Sequence, residues 1–164
     1  MTNMPPSGAP LRIERTFTAP AAVVFDAWTS AGMLRRWWPA GPDWVTTVAE
    51  VDVRVGGRLK LVMRSPDLAE FGGEGQYVEI TPPTRLVFTW QWDTADLGTA
   101  AQLVEVTFTD NQDLTTTVVL INRGLTEADV QSHLEGWHAS FDNLDRVLSG
   151  EAGPGAPTDE AVQR

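Results

Sequence analysis

Leu125–Gly150, LTEADVQSHLEGWHASFDNLDRVLSG, carries the most regular apolar pattern in the chain and decides how the rest is read. Val130, Leu134, Trp137, Phe141, Leu144 and Leu148 recur at alternating spacings of four and three, which places them on one stripe of an α-helix. Thr126 stands where an N-cap is expected, and Glu127 and Asp129 fall in the first turn, where carboxylates complement the positive end of the helix dipole. Gly150 is a natural stop. Six large side chains buried at about 1.5–3 kcal/mol each supply on the order of 10 kcal/mol, provided that something covers the stripe.

The segments upstream supply that cover. Leu11, Ile13 and Phe17 alternate with polar residues as a half-buried strand running to Thr18. Two short helices follow. In the first, Pro20 sits at the start, Thr18 is a nearby cap, and Val24, Phe25 and Trp28 form the apolar face; the second begins at Ser30 and ends where Trp38 meets Pro39. From Trp44 the period changes to two. Val51 and Val53 lead into a Val55-Gly56-Gly57-Arg58 hairpin, and Leu59, Leu61 and Met63 return. Ser65–Gly73 reads as a loop and Gln76–Thr81 as a strand closed by Pro82-Pro83. Leu86, Phe88, Trp90 and Trp92 then share one strand face. Beyond a polar loop, Val104, Val106 and Phe108 form a strand, Asn111-Gln112-Asp113 a turn, and Leu114–Asn122 the last strand. Successive antiparallel strands with few helices make an α+β arrangement, in which a curved sheet of six or seven strands wraps the terminal helix. Residues 1–10 are expected to be a disordered lead, 11–149 a single domain, and 150–164 a disordered tail.

Composition narrows the function. The 164 residues hold 22 acidic and 12 basic side chains, a net charge of −10, with no basic cluster to meet a nucleic acid. The absence of cysteine excludes disulfides and thiolate chemistry and suits a cytoplasmic setting. No apolar run is long enough for membrane insertion. His133 and His138 lie about 140° apart around a helix and cannot share a metal, and no cofactor-binding motif is present.

A set of short motifs occurs in order: Arg15-Thr16-Phe17-Thr18-Ala19-Pro20, Val24-Phe25-Asp26-Ala27-Trp28-Thr29, Trp37-Trp38-Pro39, Asp52-Val53-Arg54-Val55-Gly56-Gly57, Gly75-Gln76-Tyr77, Pro82-Pro83-Thr84-Arg85-Leu86-Val87-Phe88-Thr89-Trp90 and His133-Leu134-Glu135-Gly136-Trp137. Together these resemble the SRPBCC (START-like) superfamily, in the branch named after the activator of the heat-shock-protein-90 ATPase. The resemblance implies a helix-grip fold with a cavity between the sheet and the C-terminal helix. The branch takes its name from eukaryotic co-chaperones, an activity that small bacterial relatives need not share.

Within such a fold the ligand-binding candidates are Trp37, Trp38, Leu61, Met63 and Tyr77, together with Phe88, Trp90, Trp92, Trp137 and Phe141. Flat, partly polar rings suit an apolar or aromatic guest, although aromatic side chains are also the usual filling of a core. A dry void of ~300 Å³ would cost roughly 7 kcal/mol, so an open cavity must be wet, occupied or narrowed by the indoles. Glu50, Glu74, Glu105 and His133 are the catalytic candidates, because a carboxyl or imidazole opening into an apolar cavity becomes a proton shuttle; Gln76, Tyr77 and His138 are further inward candidates. Gly136 would let the helix approach a strand or a ligand closely. Three functions follow as expectations: a binder of a small hydrophobic or aromatic molecule, a cofactor-free enzyme such as a cyclase, aldol-type catalyst or hydrolase, or a module docking on a chaperone. An open sheet edge also allows a homodimer.

Overall fold

The computed structural model describes residues 10–41, 43–93 and 101–150. The expected lead and tail, apart from Pro10 and Gly150, and the centre of the polar loop after Asp93 lie outside the described residues.

Among the described residues, seven strands and three helices form in the order β1 (Leu11–Phe17), α1 (Ala21–Thr29), α2 (Ala31–Trp37), β2 (Val45–Val51), β3 (Arg58–Arg64), β4 (Glu70–Thr81), β5 (Arg85–Trp92), β6 (Gln102–Asp110), β7 (Thr116–Arg123) and α3 (Glu127–Leu148). The strands make one antiparallel sheet in the order β1-β7-β6-β5-β4-β3-β2. Consecutive strands are neighbours from β2 to β7, as hairpin succession requires. β1 instead pairs with β7, with Leu11 opposite Asn122 and Phe17 opposite Thr116. The first two strands thus occupy opposite edges, and α1 and α2 bridge a sheet about 29 Å wide at the usual strand spacing.

Alternation decides which residues face the helix. Val104, Val106 and Phe108 of β6 and Val118 and Leu120 of β7 are buried on the concave side, where they meet Phe17, Phe25 and Phe141. Trp28 anchors this core with edge-on contacts to Phe108 and Phe141. The six-residue stripe read for α3 divides in two. Phe141 and Leu144 are fully buried, whereas Val130, Leu134, Trp137 and Leu148 are only partly covered. From Ser140 onward the helix grips the sheet and α2; before it, the helix roofs an open space.

Two polar side chains at the start of the gripped half fix the helix. Ser140 Oγ donates to the carbonyl of Trp38 at 2.7 Å, and Asn143 Nδ2 donates to those of Pro39 (2.8 Å) and Trp37 (3.3 Å). They satisfy the carbonyls left free where Pro39 ends α2.

The structure revises parts of the sequence reading. Ser65–Gly73 is not a loop throughout, because β4 already begins at Glu70 and runs through Gly72, Gly73 and Gly75. These glycines allow close strand contact: a Cβ on Gly75 would lie 1.7 Å from the carbonyl oxygen of Thr89. The N-cap of α1 is Pro20 with no side-chain cap, so Thr18 does not serve; Thr126 is the N-cap of α3 as read, with its hydroxyl on the Asp129 carboxylate in place of a backbone amide. Nothing lies within 4 Å of a Cβ built on Gly136, so no strand approaches that glycine closely; it faces the cavity described below. Ser30 does cap α2, accepting from Met33 N at 3.3 Å.

Candidate functional site: a tryptophan-walled cavity

A cavity of about 210 Å³ opens between the concave sheet and the N-terminal half of α3. All seven tryptophans of the chain line it: Trp28, Trp37, Trp38, Trp44, Trp90, Trp92 and Trp137. Leu59, Leu61 and Met63 of β3, with Tyr77 and Phe88, form its floor. Of the ligand-binding candidates, nine line this space; Phe141 does not, being sealed in the core against Phe17 and Trp28.

Ring geometry holds the walls in place. Trp38 stacks on Trp92 at 6.1 Å with planes 27° apart, and Trp90 meets both edge-on, at 5.8 and 5.2 Å. Trp28 stacks on Trp137 at 6.0 Å, joining α1 to the roof. Such offset and edge-on pairs are favourable beyond the area they bury, so the walls are preorganised. Trp37 is locked by its indole N–H, which donates to Ala27 O at 2.8 Å.

The polar groups sort into satisfied and unsatisfied. Trp92 Nε1 donates to His133 Nε2 at 3.1 Å, and His133 Nδ1 lies 2.9 Å from Asp129 O. An indole nitrogen only donates, so Nε2 must be the bare nitrogen and Nδ1 carries the proton. His133 thus lines the cavity as a neutral imidazole with both nitrogens engaged. Tyr77 OH and Trp28 Nε1 are buried without a hydrogen-bond partner among the described residues. Burial pushes the Tyr77 phenol up to about 12, with a smaller contribution from the charge of Asp52.

None of the three glutamate candidates reaches the cavity. Glu50 is exposed on β2. Glu74 lies outside, bound to Arg58 at 2.6 Å, and the Arg58 guanidinium holds its carboxyl below the ordinary range. Glu105 bridges Arg123 (2.8 Å) and Arg85 (3.3 Å) on the convex face, and these cations, Arg123 foremost, lower its pKa as well. Proton shuttling in an apolar site needs the opposite shift. Gln76 and His138 are exposed. Among the described residues, no group of three or more His, Asp or Glu side chains could hold a metal, and no helix is long and apolar enough to cross a membrane.

Gln102 and Asn122 were not anticipated. Both are in phase with the inward residues of their strands, Gln102 with Val104 and Asn122 with Leu120, and both line the cavity. Strand alternation alone could have found them. Trp137 Nε1 donates to Asn122 Oδ1 at 3.1 Å, and Asn122 Nδ2 donates to Gln102 Oε1 at 3.0 Å.

The family described as Activator of Hsp90 ATPase homolog 1-like protein matches residues 18–149. The chain belongs to this family. Its curved antiparallel sheet, two short helices and long terminal helix are the family's helix-grip fold. Among solved structures, a protein from Rhizobium leguminosarum is 28% identical, with a TM-score of 0.71 over 87% of this chain and 95% of that one. A family member from Silicibacter pomeroyi is 27% identical, with a TM-score of 0.71 over 86% and 98%. A Chromobacterium violaceum protein is 25% identical, with a TM-score of 0.76 over 85% and 96%. No curated protein matches the chain.

Proposed function

We propose that this family member binds a small apolar or aromatic molecule between its sheet and the N-terminal half of α3. The observation that carries the reading is the convergence of every tryptophan in the chain on one cavity. A core built only for stability would close that space; standing open, it leaves a wall of indoles and aliphatic side chains for water or a guest to cover. A guest with an apolar body buries that wall, and the stacked indoles offer it flat faces without reordering. The cysteine-free composition fits a cytoplasmic setting for this activity.

Family membership supports a ligand-binding or a chaperone-associated module, and the geometry favours the first. The aromatic rings converge on the cavity, whereas the exposed large apolar side chains among the described residues are few, Val23, Val53, Val55, Leu68, Val78 and Leu114. The enzyme reading has no support from Glu50, Glu74 and Glu105, which lie outside the cavity, or from His133, which is occupied on both nitrogens.

Native mass spectrometry of protein purified from its own host tests the proposal. The expected result is an added mass of a few hundred daltons or less that leaves on denaturation. Tryptophan emission should also change on titration with small aromatic compounds. Bare protein together with unchanged emission across an aromatic and aliphatic panel would refute the reading.

A further inference from the structure

The cavity wall contains a hydrogen-bond chain whose direction is fixed at one end. Trp137 Nε1 can only donate, so the oxygen of the Asn122 amide must face it and the nitrogen must face away. That nitrogen donates to Gln102, so the oxygen of the Gln102 amide faces Asn122. Gln102 Nε2 is thereby left as a donor with no protein partner among the described residues, on a side chain 5% exposed that lines the cavity. The strand position it occupies continues an otherwise apolar row of Val104, Val106 and Phe108, so this unpartnered donor is the polar exception in that row and has the cavity to serve.

We infer that Gln102 Nε2 is the ligand's polar anchor, and that the guest carries a neutral acceptor oxygen, a ketone or similar carbonyl, on an apolar or aromatic body. Trp137 and Asn122 are positioning residues, which hold the Gln102 amide with its nitrogen free. A carboxylate guest is disfavoured, because among the described residues no Lys or Arg side chain lines the cavity to neutralise it. This inference rests on the cavity being a binding site.

Two isosteric probes, 2-acetylnaphthalene and 2-isopropenylnaphthalene, differ only by oxygen against a methylene group. Titration of both, followed by tryptophan emission, is to be made on the wild type and on Gln102→Met, which keeps length and removes the donor. The affinity ratio of ketone to alkene should fall about tenfold in the variant, with alkene binding retained. Infrared spectra of the wild-type complex give a readout that needs no variant: the bound ketone's carbonyl stretch should lie below its frequency in an alkane solvent. A stretch at the alkane value and a ratio unmoved by Gln102→Met would overturn the inference, while leaving the cavity as an apolar binding site. Silence from both probes, joined by bare protein in native mass spectrometry and no response across the wider panel, would bring down the binding reading and this inference with it.

Discussion

Tyr77 is the chain's sole tyrosine, so its ionisation can be followed without interference. Absorbance near 295 nm should show the phenol titrating at about 12 rather than near its ordinary 10. Because the folded pKa is raised, the buried neutral phenol contributes stability that is complete below pH 10 and is lost as the pH rises toward 12. Tyr77→Phe should abolish the absorbance step and remove that part of the alkaline destabilisation. At neutral pH it should be neutral or stabilising by up to about 1 kcal/mol, since it deletes a hydroxyl that has no partner among the described residues. Phe141 sets the contrast: it is fully buried between Phe17 and Trp28, so Phe141→Ala should cost about 3–5 kcal/mol in chemical denaturation.

Two glycines separate the needs of the elements that hold them. Gly75→Ala pushes a methyl into the backbone of β5 and should cost about 2 kcal/mol or more, measured by urea unfolding. Gly136→Ala meets open space in the middle of α3 and should stabilise by about 0.5–1 kcal/mol through helix propensity. The long helix and most strands are legible in the sequence because one face of each is buried and period follows burial. The start of β4 is not, because Gly72, Gly73 and Gly75 read as a turn until the strand pressed against them is known. The indole walls are legible as a count, but the split of α3 into a gripped half and a roofing half depends on the sheet's curvature, which no local pattern encodes. Glu105 alternates out of phase with Val104 and Val106, so its outward direction is available, whereas the Trp137–Asn122–Gln102 chain needs the register of β6 on β7 and the seat of α3 above them.

Across the whole molecule, the stability of α3 should be graded. Amides of residues 130–137 should exchange with solvent faster than those of 141–147, since Ser140 and Asn143 tie only the second half to α2. A guest at 100 times its Kd should slow the first group and add about 2.7 kcal/mol, raising Tm by roughly 5–10 °C. Hydrogen exchange and thermal melts with and without 2-acetylnaphthalene check both. The pairing of β1 with β7 has a consequence for biosynthesis. At about 5–20 residues per second the ribosome needs on the order of 5–20 s to make the roughly hundred residues between these partners, and for all that time the first strand has no mate. Leu11, Ile13 and Phe17 therefore travel with the nascent chain as an unsheltered sticky ribbon, and the edge they finally close is the last seam of the sheet to be sewn.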